Sequence, residues 1–519
     1  MPLLLASPLL LPPFFCLIHS PAGSGPDSQK FCNIRVFRLQ AGGDPFLRSC
    51  MDAEALTKTF EAHGQGQVFR FYGELDAAGQ EALCKQAAGI SLDELDRLFR
   101  TWKTSSATEG DFSGLEPAPY IPHWKAPHGD PGSWAKAKET GLQALQDGRV
   151  AAFTVAGGQG TRLGFDGPKG TFPTTPVQKK SLFQVFAEKI KATGDDCGQP
   201  IDWLIMTSID NDEATRGFFQ QHNFFGLEPG QVHFFTQGLM PAVDTDGKIL
   251  LAGKGKVAMS PDGHGGSLRA LARSGQLKRL RDKGVDTISY FQVDNPLVQC
   301  VDPEFIGFHI LEEAEISSKM IPKAYPMEKV GHFCVQDGKQ VVIEYSDLPA
   351  AMQEETTPDG ELRFRAGSIA IHILNLGFAE RLGEGDDPSL ELPFHCANKK
   401  VPYVDEGGNL VGPTEPNGVK FEMFIFDALL LAKRSVIVET LREDEFSPVK
   451  NAEGQDSPAT CEEHQSKQHL RWLELAGEQV EGLETLEISP LFAHNPEKFI
   501  EKWSALDPKP ALSDNLYIQ

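Results

Sequence analysis

The sequence predicts an α/β protein built on a doubly wound sheet. Three short apolar runs carry that prediction, because they alternate with helical periodicity and end in small or polar residues. Val150 to Ala156 (VAAFTVA) runs into glycines, Ile201 to Thr207 (IDWLIMT) repeats the pattern, and Thr287 to Val293 (TISYFQV) ends at Asp294. Runs that are apolar throughout read as parallel strands buried on both faces. In such sheets ligands bind beyond the carboxyl ends of the strands, and that is where the unusual residues of this chain fall.

The elements follow in order. Residues 51 to about 145 read as helical, with Leu56, Phe60, Val68 and Phe71 on one irregular apolar face. Leu92, Leu95, Leu98 and Phe99 recur at three- and four-residue spacing, and Ser91 is a helix-cap candidate. Ser113 to Pro131 is rich in Pro and Gly and reads as a link. Ser181 to Thr193 places Leu182, Val185, Phe186 and Ile190 on one side of a helix. Residues 330 to 347 read as strands joined at Asp337-Gly338, a type I′ turn signal. The polar stretch Asn451 to Ser466 reads as a loop. The expected division is a leader (1–50), a helical region (51–145), a central domain (146–430) and a smaller C-terminal α+β region (431–519).

The 519 residues are 40% hydrophobic, enough for a large core, and carry a net charge of −23. Such a surface repels a phosphate backbone and excludes general nucleic-acid binding, although a local cradle of amides and cations still accommodates one small anion. Nine cysteines are scattered without CxxC or zinc-finger spacing, the pattern of reduced thiols in a cytosol. The apolar first 24 residues lack a basic n-region and are broken by Pro8, Pro12 and Pro13. They are too short and interrupted for a membrane span, and a disordered or mis-started leader ahead of Met51 is preferred to a signal peptide.

Ala156-Gly-Gly-Gln-Gly-Thr-Arg-Leu-Gly164 follows directly on the first strand. Glycines there let the backbone approach a polyanion with its amides inward. Arg162 adds a forked guanidinium, and Lys169, in Pro168-Lys169-Gly170, a point charge. A Walker A loop is excluded because Lys169 sits between Pro168 and Gly170, and the dinucleotide fingerprint fails at Leu163. A bare GxG would be a plain turn; a strand followed by GGQGTRLG and PKG is far more specific.

This loop resembles the nucleotide-binding signature of the UDP-sugar pyrophosphorylases, in particular the UDP-N-acetylglucosamine pyrophosphorylase family. Further blocks resemble the family in order: Phe219–Phe225 (FQQHNFF), Lys256–Gly263 (KVAMSPDG), Val293–Asn295 (VDN), Ile343–Ser346 (IEYS), Lys399–Asp405 (KKVPYVD), Asn417–Lys420 (NGVK) and Leu441–Pro448 (LREDEFSP). Coverage runs from about residue 100 to 490. The resemblance implies a Rossmann-like, GT-A-like nucleotidyltransferase in which a sugar 1-phosphate oxygen attacks the α-phosphorus of UTP and pyrophosphate leaves. The attacking group is already an anion, so the need is for cations, oriented amides and a metal rather than a strong base.

By resemblance, Ala156, Gly157, Gly158 and Gly160 hold the nucleotide, Arg162 and Lys169 meet its phosphates, and Gln237 and Gly263 hold the uracil. Asp294 contacts substrate and carries Mg²⁺ or Mn²⁺, an ion content with few protein ligands. Glu344 and Tyr345 match the family's sugar-contacting pair, Lys420 a lysine on the sugar-nucleotide phosphates, and Lys400 lies in another family block. Taken singly, Lys169 would be a solvated lysine, Gln237 a loop residue, Asp294 a turn cap and Lys400 a solvated charge.

Two departures concern the sugar. His264 stands where the family block PDGNGG has Asn, and Ser368 where AGNI has Asn. Both alter the pocket's hydrogen bonding, so N-acetylglucosamine 1-phosphate, glucose 1-phosphate and galactose 1-phosphate all remain open. A broad-specificity pyrophosphorylase and a non-catalytic UDP-sugar-binding regulator are the alternatives. UTP as substrate implies a cytoplasmic protein with no membrane or nucleic-acid partner.

Overall fold

The structure is a computed structural model and describes residues 45–105, 112–384 and 388–519. Of the leader expected over residues 1–50, residues 1–44 lie outside the described residues, and 45–50 already belong to the first helix. Residues 52–519 form one compact unit. Among the described residues no helix is long and apolar enough to cross a membrane.

The chain opens with helices α1 (Pro45–Ala62), α2 (Ala77–Ala88) and α3 (Leu92–Ser105). The Ser91 hydroxyl meets the N–H of Glu94 at 3.4 Å, as its cap role requires. Residues 112–130 do more than link: Glu116–Pro117 join the central sheet, and the Ile121 N–H donates to Ile437 C=O at 2.9 Å. Next come α4 (Pro131–Gln146), β1 (Val150–Val155), α5 (Leu182–Cys197), β2 (Trp203–Thr207), α6 (Asp212–Gln221) and β3 (Val232–Thr236). Ser181 caps α5 by accepting from the Gln184 N–H. After α7 (Gly266–Arg273) and α8 (Gln276–Asp282), β4 (Thr287–Gln292) returns to the sheet, followed by α9 (Pro303–Leu311).

β3, β2, β1 and β4 are parallel neighbours in that order. The rest of the ten-stranded sheet mixes directions, which the apolar runs did not foretell. β5 (Ile316–Pro322), β6 (Gly331–Gln336) and β8 (Ala366–Asn375) pair antiparallel, and β8 lies antiparallel against β4. β7 (Lys339–Ile343) closes a hairpin with β6 through Asp337 and Gly338, both at positive φ (51° and 75°), the geometry of a type I′ turn. After α10 (Leu376–Glu384), β9 (Phe394–Lys399) and β10 (Gly418–Met423) form a separate small sheet, and β11 (Ser435–Glu439) joins β5 in parallel.

Alternation along β1 divides the core: Val150 and Ala152 face α4, α5 and α9, while Ala151 and Phe153 face α7, α8 and α10. α4 and α9 touch backbone to backbone, because any Cβ on Gly141 would overlap Pro303 and any Cβ on Gly307 would overlap Ala137. Leu92, Leu95 and Leu98 join Phe60, Val68 and Phe71 in a third core against Val419 and Phe421 of β10.

The loop expected over Asn451 to Ser466 is corrected: helix α11 (Pro458–Leu475) starts inside it. Ser457 accepts from the Thr460 N–H, and Pro458 occupies the first turn, where its missing N–H costs nothing. The polar text conceals a packed face of Cys461, Gln465, Gln468 and Trp472. α12 (Pro496–Ala505) completes a small C-terminal core with Trp503 and Phe499.

Candidate active site

The spatial order β3-β2-β1-β4 reverses between β1 and β4. The connections diverge there and leave a crevice at the carboxyl ends. The glycine loop leaves β1 on one side, and Asp294 follows β4 on the other. Lys169 Nζ lies 3.3 Å from Asp294 Oδ2, each side chain 16% exposed. A cation and an anion so sheltered hold each other ready for a polyanion and its counter-ion.

The glycine loop is fixed by a buried residue outside it. Asn211 donates from Nδ2 to the carbonyls of Ala156 (3.0 Å) and Gly158 (3.3 Å) and accepts at Oδ1 from the Ser208 N–H (2.8 Å). With those carbonyls engaged, the amide edge of Gly157 and Gly158 is the side left for an anion. The Lys169 N–H donates to Gly158 C=O at 3.0 Å, which ties the PKG turn to the loop. A Cβ on Gly157 would stand 2.9 Å from Gln237 Oε1, so a larger residue there would displace the Gln237 amide. Gln237 Nε2 donates to Gly263 C=O at 2.9 Å, which turns Oε1 toward Gly157 as a free acceptor. Gly263 has φ 84°, and a side chain there would overlap Met423. Beside it Asp262 is buried, Oδ1 without a hydrogen-bond partner, and burial pushes its carboxyl up to about 6.

Beyond Asp294 opens a cavity of about 290 Å³ lined by His264, Asp294, Glu344, Tyr345 and Ser368, all five singled out in the sequence. β8 bulges there. Its register against β5 shifts between Ser318 and Met320, and Ala370 is held at φ 56°, a strained conformation for a non-glycine residue. The bulge turns Ser368 to Ile371 to the cavity wall. His264 stacks on Phe424 at 5.2 Å, and its Nδ1 accepts from the Ile425 N–H at 3.2 Å. Burial, with the charge of His395 second, lowers its pKa to about 4, so the ring is neutral at pH 7 with its proton on Nε2. Burial also opposes charging His395, but its 2.8 Å bond to Asp427 overrides this and raises its pKa. Burial first, and the charge of Asp347 second, raise the Glu344 carboxyl.

Three further candidates join neither this cavity nor the Lys169–Asp294 pair. Arg162 is exposed on a turn of the glycine loop, Lys420 lies on β10, and Lys400 is exposed beyond the end of β9. Conversely, Asn295, Lys329, Phe446, Pro448 and Lys450 line the cavity, and Asn211 braces the glycine loop. The LREDEFSP block contained Phe446 and Pro448, but nothing in the sequence aimed them at Asp294.

Among the described residues no cluster of three or more His, Cys, Asp or Glu side chains forms a metal cage. A lone sheltered carboxylate facing a phosphate crevice fits Mg²⁺ or Mn²⁺, which takes few protein ligands and completes its shell with phosphate oxygens and water.

A glycine-rich loop after β1, a lysine–carboxylate pair at the switch point and a polar pocket beyond it are the layout of a nucleotidyltransferase. The chain belongs to the UTP--glucose-1-phosphate uridylyltransferase family, which it matches over residues 134–456. UDP-N-acetylhexosamine pyrophosphorylase-like protein 1 of Xenopus tropicalis is 39% identical over 444 residues, 83% of this chain and 86% of its own. The UDP-N-acetylglucosamine pyrophosphorylase of Saccharomyces cerevisiae is 35% identical over 449 residues, 84% and 94% of the two chains. The crystal structure of the Trypanosoma brucei uridine diphosphate N-acetylglucosamine pyrophosphorylase superposes with a TM-score of 0.77 at 28% identity, over 92% of this chain and 99% of that one.

Proposed function

We propose that this uridylyltransferase joins UTP to N-acetylglucosamine 1-phosphate, forming UDP-N-acetylglucosamine and releasing pyrophosphate. The observation that carries the reading is the Lys169–Asp294 pair between the glycine loop and the polar cavity. The amides of Gly157, Gly158 and Gly160, with Arg162, cradle the UTP phosphates, and Gln237 Oε1 accepts from the uracil N3–H. A phosphate oxygen of the sugar attacks the α-phosphorus in line. The bond from that phosphorus to the bridging oxygen breaks, and pyrophosphate leaves with the electron pair; no proton changes hands. Lys169 neutralises charge that grows on the phosphates, and Lys420 serves the sugar-nucleotide phosphates. Asp294 would hold a divalent cation, Mg²⁺ or Mn²⁺, which supplies charge neutralisation on the phosphates.

Sugar choice rests on His264, Glu344, Tyr345 and Ser368. The Nε2–H of neutral His264 is a donor suited to an acetamido carbonyl. The names of the relatives above favour the same sugar. A second reading, glucose or galactose 1-phosphate, is favoured by Ser368, whose short hydroxyl reaches less far than an amide. We place the reaction in the cytoplasm, where UTP is made available.

The test is pyrophosphate release from UTP and Mg²⁺ with each sugar 1-phosphate in turn. Release with N-acetylglucosamine 1-phosphate in preference to the others is expected. Preference for glucose or galactose 1-phosphate overturns the sugar assignment, and tight UTP binding without release from any sugar overturns the enzyme reading.

A further inference from the structure

One wall of the cavity comes from a segment 150 residues downstream of Asp294. Phe446, Pro448 and Lys450 line the cavity while the intervening Ser447 and Val449 do not, an alternation that marks extended chain leaving the short helix that ends at Glu445. This segment is bracketed by the residue next to Asp294. Asn295 is buried, its Nδ2 donates to Glu445 C=O at 2.6 Å, and its Oδ1 accepts from the Ser447 N–H at 3.1 Å. The carbonyl of Asp294 itself accepts from the Val449 N–H at 2.8 Å.

The far end of the segment is anchored separately. The Glu445 carboxylate pairs with buried Lys319, accepts from Thr440 Oγ1 at 2.7 Å and from the Gln299 N–H at 3.2 Å. Lys319 also pairs with buried Asp302. Arg442, just upstream, pairs with Glu328 at 2.7 Å in the loop that leads to Lys329 and Val330 of the opposite wall. Loss of the Asn295 bracket would therefore leave the segment held at Glu445 and by the Val449–Asp294 backbone bond, with Phe446 and Ser447 between them free to shift.

We propose that Asn295 is a positioning residue that locks the Phe446–Pro448–Lys450 wall to Asp294, so that wall and carboxylate move as one body. The proposal rests on reading the cavity as the sugar 1-phosphate site. The bracket uses both ends of one carboxamide, a donor and an acceptor on separate atoms that an ionised Asp of the same size does not supply. Because in-line transfer depends on where the attacking oxygen sits, a displacement of about 1 Å is expected to slow it on the order of 10²-fold. The uracil site at Gln237 and Gly263 lies outside the bracket.

The test uses the full chain and Asn295→Ala, with Asn295→Ser, which puts one hydroxyl in place of the carboxamide, as the second variant should the first be recovered unfolded. Amide hydrogen exchange of peptides covering 445–450 is expected to quicken at least tenfold. The KM for the sugar 1-phosphate is expected to rise and kcat to fall, each about tenfold or more, with the KM for UTP within twofold. In a Phe446→Ala background the same substitution is expected to add little. Unchanged exchange over 445–450, or UTP and sugar constants that move together, overturns the proposal. A wild-type chain that turns over no sugar 1-phosphate defeats the function above, while the exchange measurement still decides the bracket.

Discussion

Lys169 Nζ stands 3.3 Å from Asp294 Oδ2, joining residues 125 apart in the chain across the switch point of the sheet. Neither belongs to a larger ion-pair network among the described residues, so each is the other's counter-charge until phosphates arrive. Replacing Lys169 by Ala removes a cation from the leaving-group region and leaves Asp294 facing phosphates unopposed. A fall in kcat of about 10²–10³-fold is expected from steady-state pyrophosphate release, the range found for loss of one preorganised charge-stabilising group. Circular dichroism should show the fold retained. A decrease below tenfold would remove Lys169 from the chemistry.

Asp262, beside the proposed uracil contacts Gln237 and Gly263, offers a pH test. Burial raises its carboxyl from 3.8 to about 6, so the folded protein holds a proton that the unfolded chain releases. Its contribution is fully present below about pH 4 and is lost as pH rises through 6. Asp262→Asn mimics the protonated form. It is expected to stabilise the protein at pH 7.5 by on the order of 2 kcal/mol and to change nothing at pH 4, read from chemical denaturation at both pH values. Equal effects at the two values would mean Asp262 is not the titrating group.

The buried histidines act in the opposite direction. Burial leads the lowering of His123, His264, His309, His332, His469 and His494 to about 4, and of His372 to about 3. Unfolding therefore takes up protons between about pH 6.5 and 4, and stability is complete above 6.5 and falls as pH drops through that window. Tm is expected to decline steeply below pH 6. Because His264 stays neutral throughout, the ratio of kcat/KM values for two sugar 1-phosphates is expected to be flat from pH 6 to 8. A ratio that titrates near 6.5 would contradict a neutral His264.

The contact of α4 with α9 predicts a stability effect remote from the site. A methyl on Gly307 overlaps the Ala137 backbone, and backbone cannot swing away as a side chain can. Gly307→Ala is expected to cost about 2 kcal/mol, read as a lower denaturation midpoint with an unchanged KM for UTP. Gly148→Ala, where nothing lies within 4 Å of the added carbon but φ is 69°, serves as a strain-only comparison.

Much of this architecture was legible because the signals are local. β1, β2, β4 and α5 lie within a few residues of the apolar runs that announce them, and Asp337-Gly338 makes the turn its chemistry favours. α11 was hidden because its packed face uses Gln465, Gln468 and His469 beside Trp472, residues that read as solvent-facing until a partner satisfies them. The β6–β7 hairpin was legible from its turn, but the antiparallel pairing of β8 with β4, β5 and β6 was hidden, because strand direction depends on pairing across the sheet rather than on the composition of either strand.

The candidate site divides the same way. A glycine run after a strand, a lysine in PKG and a carboxylate after an apolar strand are covalent neighbours of regular elements, so the sequence by itself determined that they meet at the carboxyl ends of the strands, and the resemblance of these blocks to the family carried the uridylyl-transfer chemistry. The cavity beyond them was decided by the tertiary structure, which brought His264, Glu344 and Ser368 to face Asp294. It also set Asn295 across from Glu445 and Ser447 and fixed the His264 ring by one N–H from Ile425. Hydrogen bonds between residues 150 positions apart depend on the path of the chain between them, and no local pattern of residue types encodes that path.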